Sequence, residues 1–256
     1  MRRAIRLTGT LLIVAGGLAL VWALVVWQWQ DPFTGLYTRW QQHKLAARYE
    51  KELATYKPVH VAMQQAKESK KPTESKQSKE STSWVVEERK EVALEGKQYR
   101  LHLHRGDPVG RLKVARLGLS VIVVNGTDHD SLTKGPGRYL GSYMPGEHEL
   151  VYIAGHRTTY LAPFAHIDAI RPGDRATFEL PYGTFVYEFR WHNIVPSDDV
   201  GRLVSHHREI LALQACHPRF FATHRYIAYA VLIRVEPKNG RPYVLTHSQL
   251  ASSSNA

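Results

Sequence analysis

An uncharged run from Leu7 to Trp29 constrains this chain more than any other feature. As an α-helix its 23 residues extend about 34 Å at roughly 1.5 Å per residue, enough to cross a hydrocarbon core of about 30 Å. Arg2, Arg3 and Arg6 precede the run, and Trp22, Trp27 and Trp29 crowd its far end. Positive charge favours the cytoplasmic side and tryptophan the headgroup boundary, so a single-pass anchor is expected, with most of the chain outside the cytoplasm. A cleaved signal peptide is the competing reading. Its apolar region is shorter and ends in small residues, whereas this one ends in Trp-Gln-Trp-Gln.

Residues 1–6 then form a cytoplasmic N-terminus and 7–29 the transmembrane anchor. Within 30–63, Leu45, Tyr49, Leu53 and Tyr56 recur at helical spacing behind the turn signals of Pro32 and Gly35, which predicts a juxtamembrane helical segment. From 64 to 83, Ala66 is the only apolar residue among Lys, Glu, Ser, Thr, Gln and Pro. Such a stretch has too little apolar surface to offset its ordering entropy and reads as a disordered mixed-charge stalk. The folded domain is expected over 84–236, with 237–256 as a C-terminal tail and residues 1–83 outside its core.

From Val109 to Val235 apolar residues come in short runs broken by Gly, Pro, Asn and Asp. Strands are predicted at Leu112 to Leu117, Ser120 to Val124, Leu150 to Ala154, Ala176 to Leu180, Thr184 to Ile194, Ile210 to Ala215 and Tyr226 to Val235. Short helical pieces are predicted at Asp128 to Thr133 and Pro163 to Ile170. Long amphipathic crossovers are scarce, which argues for a mostly antiparallel β-barrel over a parallel α/β fold. Lys and Arg outnumber Asp and Glu by 34 to 23, which suits an anionic lipid or wall surface. Five of the 13 lysines cluster in the stalk, without interleaved aromatic residues, so nucleic acid is not an expected partner.

Cys216 is the single cysteine, which excludes a disulfide framework within the chain, a cysteine-rich zinc site and an iron–sulfur cluster. It ends one apolar run, and Arg225 opens the next, across a loop containing Pro218. In an antiparallel hairpin those two positions are neighbours. An adjacent guanidinium favours thiolate, or donates to an oxyanion forming on an attacked carbonyl. A cysteine nucleophile also needs a proton carrier, and His156 stands just after an apolar strand and a glycine, where catalytic groups commonly project. His217 is expected on the opposite face of its strand from Cys216, and His224 is a second candidate in the loop. By spacing alone the thiol reads equally as a small buried hydrophobe. No metal or cofactor is called for, since Asp128, Asp130 and Glu147 are scattered and suffice as turn and capping residues.

The string AGHRTTYLAPF from Ala154 to Phe164, and LQACHPRF from Leu213 to Phe220 with Arg225 following, closely resemble sortases, and are similar to class E. Gly135-Pro-Gly137, Tyr139 and the Met144-Pro-Gly146 turn add to the likeness, in family order, over about Val109 to Val235. The resemblance implies a closed eight-stranded β-barrel with short helices, preceded by one transmembrane helix and a stalk. It also implies a membrane-anchored cysteine transpeptidase of Gram-positive bacteria. Carried over residue by residue, Cys216 is the nucleophile, His156 the general acid and base, and Arg225 the oxyanion- or substrate-binding arginine. The implied reaction cleaves the Thr-Gly bond of a Leu-Ala-x-Thr-Gly- or Leu-Pro-x-Thr-Gly-like sorting signal on a surface protein or pilin. The acyl group passes through a thioacyl enzyme to a cell-wall precursor amine or a pilin lysine. One departure stands out: sortases usually carry Thr-Leu-x-Thr-Cys, and here Ala212 and Ala215 replace both threonines. Two other readings stay open, a wall-binding scaffold with an inert Cys216 and a hydrolytic cysteine peptidase.

Overall fold

The computed structural model describes residues 2–29, 32–58 and 80–245. Helix α1 (Arg2–Trp29) contains a 21-residue stretch, Ile5–Val25, of mean hydropathy 2.1, none of it buried within the protein. An apolar helix of that length fits a single-pass membrane anchor. Helix α2 (Pro32–Thr55) starts with proline, as suits a first helical position whose N–H has no partner in any case.

Nine strands follow: β1 (Pro108–Val114), β2 (Leu119–Asn125), β3 (Gly137–Arg138), β4 (Leu150–Ala154), β5 (Arg175–Leu180), β6 (Gly183–Pro196), β7 (Ile210–His217), β8 (His224–Pro237) and β9 (Tyr243–Val244). They are ordered β6-β5-β1-β2-β3-β4-β7-β8-β9, and β6 also pairs with β8, so eight strands close into a barrel while the two-residue β9 extends from β8. Most pairings are antiparallel; β2–β3 and β4–β7 are parallel. Every predicted strand is present. The first ends early, because Ala115–Leu117 turns as a 3-10 helix capped by left-handed Gly118. The predicted helix at 128–133 is a single turn (His129–Leu132), with the Asp128 side chain accepting from the Ser131 N–H, and the one predicted at 163–170 shortens to a 3-10 turn, Ile167–Ala169.

Strand periodicity sorts the side chains. On β7, Leu211, Leu213 and Ala215 belong to the barrel interior, as do Tyr226, Ala228 and Ala230 on β8. The alternate positions Ala212, Ile227 and Tyr229 pack with Leu150, Tyr152 and Val195 on the outer face of the same sheet. This outer face carries the site.

Two features depart from expectation. The folded domain opens on a helix that was not predicted: α3 (Glu80–His102) sends Val92 and Tyr99, two helical turns apart, into the main core. A Cβ on Gly146 would lie 2.5 Å from Val92 Cγ1, and the residue sits at φ +92, so glycine alone fits this turn beneath α3. The second departure is α2, which lies against the barrel instead of standing apart from it. Leu45 and Tyr49 are buried against Ile122 and Val124. The Gln42 side chain accepts from the Ile122 N–H (2.8 Å) and donates to the Ile122 carbonyl (2.9 Å), as an adjoining strand would. Of the proposed stalk, 64–79 lies outside the described residues and 80–83 begin α3.

Because Tyr49 is 2% exposed and its hydroxyl donates to the Glu179 carbonyl at 2.9 Å, Tyr49→Ala is expected to cost about 3–5 kcal/mol, as for other buried aromatics. Urea unfolding measures it. A change below about 0.5 kcal/mol, the usual range for surface substitutions, would show that α2 is not part of the folded unit.

Candidate active site

Cys216 is the penultimate residue of β7, and the β7–β8 register sets it directly opposite Arg225. A directly opposed antiparallel pair points to one side of the sheet. Counting by twos from Ala212 and from Tyr229, that side is the outer face. On the other flank of β7, the parallel register pairs Ala154 of β4 with Gln214, and the Gly155 N–H donates to the Gln214 carbonyl at 3.0 Å. Extended two residues past the end of β4, the same register would set His156 level with Cys216, on the outer face. Strands β7 and β8 and the segment leaving β4 thus point one residue each toward a single row.

Gly155 makes this approach possible. A Cβ there would meet Phe164 Cδ2 at 2.6 Å, and the loop after His156 closes back with the Phe164 N–H donating to the His156 carbonyl at 3.2 Å. His156 is half-buried, its ring centroid 5.0 Å from that of Tyr160. Burial first, and the nearby His129 second, lower its pKa below the ordinary value of 6.5. The imidazole is therefore neutral at pH 7 and able to accept a proton. Its Nε2 has no hydrogen-bond partner among the described residues. Cys216 is partly exposed, in contrast to the buried Ala215 before it.

The Arg225 guanidinium is oriented by its own loop. Nη1 donates to the carbonyls of Ala222 (2.8 Å) and His224 (3.0 Å). Arg219, in the same loop, has a buried Nε with no hydrogen-bond partner among the described residues and lies over the Phe220 ring at 5.3 Å. His217 falls on the opposite face from Cys216, as expected, near Tyr226. His224 shares that parity with His217, so strand alternation removes it as a proton carrier.

Sequence reasoning passed over Arg157. It is 5% exposed. It donates to Asp168 Oδ2 (2.6 Å) and the Cys216 carbonyl (3.3 Å), and its Nη1 lies 3.1 Å from His217 Nδ1. The residue after the histidine thus grips the backbone of the cysteine. The only signal was its place inside the string at 154–164.

The two alanines occupy different environments. Ala212 lies on the outer face among Leu150, Tyr152, Ile227 and Tyr229. Ala215 is 0% exposed in the barrel interior, opposite Tyr226. Ala215→Thr is expected to destabilise by about 1–3 kcal/mol through overpacking. An unchanged urea midpoint would instead mean that the interior has room for the extra atoms.

Further along the outer face, a cavity of about 450 Å³ is floored by Leu150, Trp191, Ile210 and Tyr229 and walled by Arg202 and Val204 of the β6–β7 loop. Among the described residues, no three His, Cys, Asp or Glu side chains converge as a metal site.

Comparison with known proteins adds to this geometry. Residues 112–233 match the sortase domain. Sortase D of Bacillus subtilis (strain 168) is 35% identical over 128 residues, which cover 48% of this chain and 63% of the relative. The chain thus spans under two thirds of that relative's length. Among solved structures, the SrtF sortase from Corynebacterium diphtheriae superposes with a TM-score of 0.51 at 23% identity, over 55% of this chain and 91% of that one. Sortase C of Streptococcus pneumoniae superposes with a TM-score of 0.52 at 18% identity, over 74% of this chain and 96% of that one. These two are likenesses of fold.

Proposed function

From the match of residues 112–233 to the sortase domain we propose a sortase-type cysteine transpeptidase with Cys216, His156 and Arg225 as its working residues. The observation that supports the reading is the direct pairing of Cys216 with Arg225 across β7 and β8, beside the β4–β7 register that, extended two residues, leads His156 to the same face. Cys216 Sγ attacks the carbonyl of the scissile bond while neutral His156 takes the thiol proton. The Arg225 donors not held by Ala222 and His224 stabilise the oxyanion. The C–N bond then breaks, His156 returns the proton to the leaving amine, and a thioester remains on Cys216. An incoming amine attacks that thioester and passes a proton to His156, the C–S bond breaks, and His156 returns the proton to Cys216 Sγ.

A transpeptidase must hold the acyl half through both steps while the other side opens to the acceptor. The cavity on the outer face suits the acyl half. From Cys216 back to Ile210 at its floor is six residues of β7, about 20 Å at roughly 3.3 Å per residue, room for a comparable length of extended peptide. The substrate is then a C-terminal sorting signal of a surface protein or pilin, cleaved between Thr and Gly, with a wall-precursor or lysine amine as acceptor. Class E, with its Leu-Ala-x-Thr-Gly preference, is the proposed class on the strings at 154–164 and 213–220. An inert scaffold thiol would be buried, and Cys216 is partly exposed. The arginines before the apolar span and the tryptophans at its far end support an N-terminus in the cytoplasm and a barrel outside.

The test incubates the full chain with Leu-Ala-x-Thr-Gly and Leu-Pro-x-Thr-Gly peptides, with and without a free amine, and follows adduct and product by mass spectrometry. Amine-dependent product supports transfer. Product insensitive to added amine would indicate hydrolysis, and absence of any adduct would remove the reading. In the same assay Arg225→Lys is expected to lose on the order of a hundredfold in kcat, because a point ammonium cannot replace a planar fork of donors. Near-wild-type turnover would take Arg225 out of the oxyanion site.

A further inference from the structure

The contact between α2 and the loop after His156 has no place in the mechanism above, although it joins the helix nearest the anchor to the histidine side of the site. We propose that Thr34 and Tyr160 are positioning residues for His156, so that docking of the juxtamembrane helix completes the catalytic row. The inference rests on the transpeptidase reading for its kinetic arm and on geometry alone for its labelling arm.

Thr34 lies in the first turn of α2, and its Oγ1 accepts from the Tyr160 N–H at 3.0 Å. The same turn lies against the next residue, since a Cβ built on Gly35 would be 3.6 Å from Leu161 Cδ2. Tyr160, Leu161 and Ala162 have φ of 54°, 63° and 39°, three consecutive non-glycine residues in the left-handed region. Such a run persists only where its surroundings over-determine it. The loop holds itself in part, with the Ala162 N–H donating to the Thr159 carbonyl (2.8 Å), the Ala165 N–H to the Ala162 carbonyl (2.8 Å) and the Phe164 N–H to the His156 carbonyl (3.2 Å), and α2 adds the constraint at Tyr160 from outside. The helix is in turn fixed to the barrel. Thr38 Oγ1 donates to the Thr133 carbonyl at 2.8 Å, and Gln42 pairs with Ile122 as described.

The strained segment presents Tyr160 to two histidines. Its ring is 5.0 Å from His156 at 38° and 6.3 Å from His129 at 85°. The His156 ring is thus backed by a side chain whose backbone is pinned from outside the barrel. With the pin removed, 160–162 relaxes toward ordinary φ, Tyr160 leaves its place and the imidazole loses its support. A tilt of that kind acts on turnover, because a misplacement of about 1 Å is enough to cost large factors in rate. Peptide binding is spared, because the cavity is floored by Leu150, Trp191, Ile210 and Tyr229.

The test uses the full chain in detergent micelles or lipid vesicles. Thr34→Val keeps the branched shape and removes the acceptor; Thr34→Ser restores it. Thr34→Val is expected to lower kcat about tenfold or more while the peptide KM stays within about twofold, and Thr34→Ser to recover most of the loss. Independently of activity, diethyl pyrocarbonate labelling with peptide mapping is expected to modify His156 several-fold faster in Thr34→Val, with His166 and His206 unchanged. Tyr160→Leu, which removes the ring without touching α2, is expected to give the same two signatures and keeps the proposal testable if Thr34→Val folds poorly. Unchanged kcat and unchanged His156 labelling in both variants would overturn the proposal, as would a Thr34→Ser protein no better than Thr34→Val. If wild type shows no transfer with any sorting peptide, the transpeptidase reading fails, and the labelling arm still decides this one.

Discussion

Cys216→Ala abolishes thioacyl formation completely, because the chain contains no second thiol to take over. Intact-mass measurement after incubation with a sorting-signal peptide shows the wild-type chain gaining the acyl fragment and the variant gaining nothing. Since Cys216 is partly exposed and outside the packed interior, the substitution leaves no cavity of the kind that destabilises a core. The variant should therefore unfold at the wild-type midpoint. A residual product in a protein of unchanged stability would show that another group attacks the peptide, and the assignment of the nucleophile would fall.

His156→Ala lowers kcat by on the order of a hundredfold to ten-thousandfold through loss of proton transfer. The pH dependence carries the sign. A pKa depressed below 6.5, by burial first and His129 second, keeps the ring neutral and proton-accepting to lower pH than an ordinary histidine. The acid limb of kcat/KM, which reports the free enzyme, therefore lies below 6.5. His129→Asn removes the smaller of the two causes and moves that limb toward higher pH. A limb above 6.5 in the wild type, or one that moves down in His129→Asn, would contradict the electrostatics. So would a limb that stays put when His156 itself is replaced.

Much of this site was legible because two of its members are close in sequence. Cys216 and Arg225 flank one hairpin loop, and antiparallel pairing makes its first and last residues partners whatever the rest of the barrel does. The same alternation correctly sent His217 to the far face. His156 was harder, since only its place after an apolar strand and a glycine marked it, and the likeness of the string at 154–164 supplied the rest. Arg157 was missed because a charged residue beside a histidine carries no sign of being buried. Its burial is made tolerable by Asp168 and by the backbone of Cys216, partners that local sequence does not announce.

The sequence by itself determined the apolar span, seven of the nine strands, the opposite faces of Cys216 and His217, and the Cys216–Arg225 hairpin. All of these follow from periods of two or 3.6 residues and from turn chemistry within about a dozen positions. The tertiary structure alone decided that β4 runs parallel to β7, which brings His156 to Cys216 across 60 positions of chain. It also decided that α3 caps the core through Val92 and Tyr99, and that α2 docks through Leu45, Tyr49 and the amide of Gln42. Barrel closure selects strand neighbours by global register, and a helix held by two apolar residues and a few polar bonds shows too narrow a stripe to be read as buried. The physical difference is one of range: local pattern sets faces, and only closure sets which faces meet.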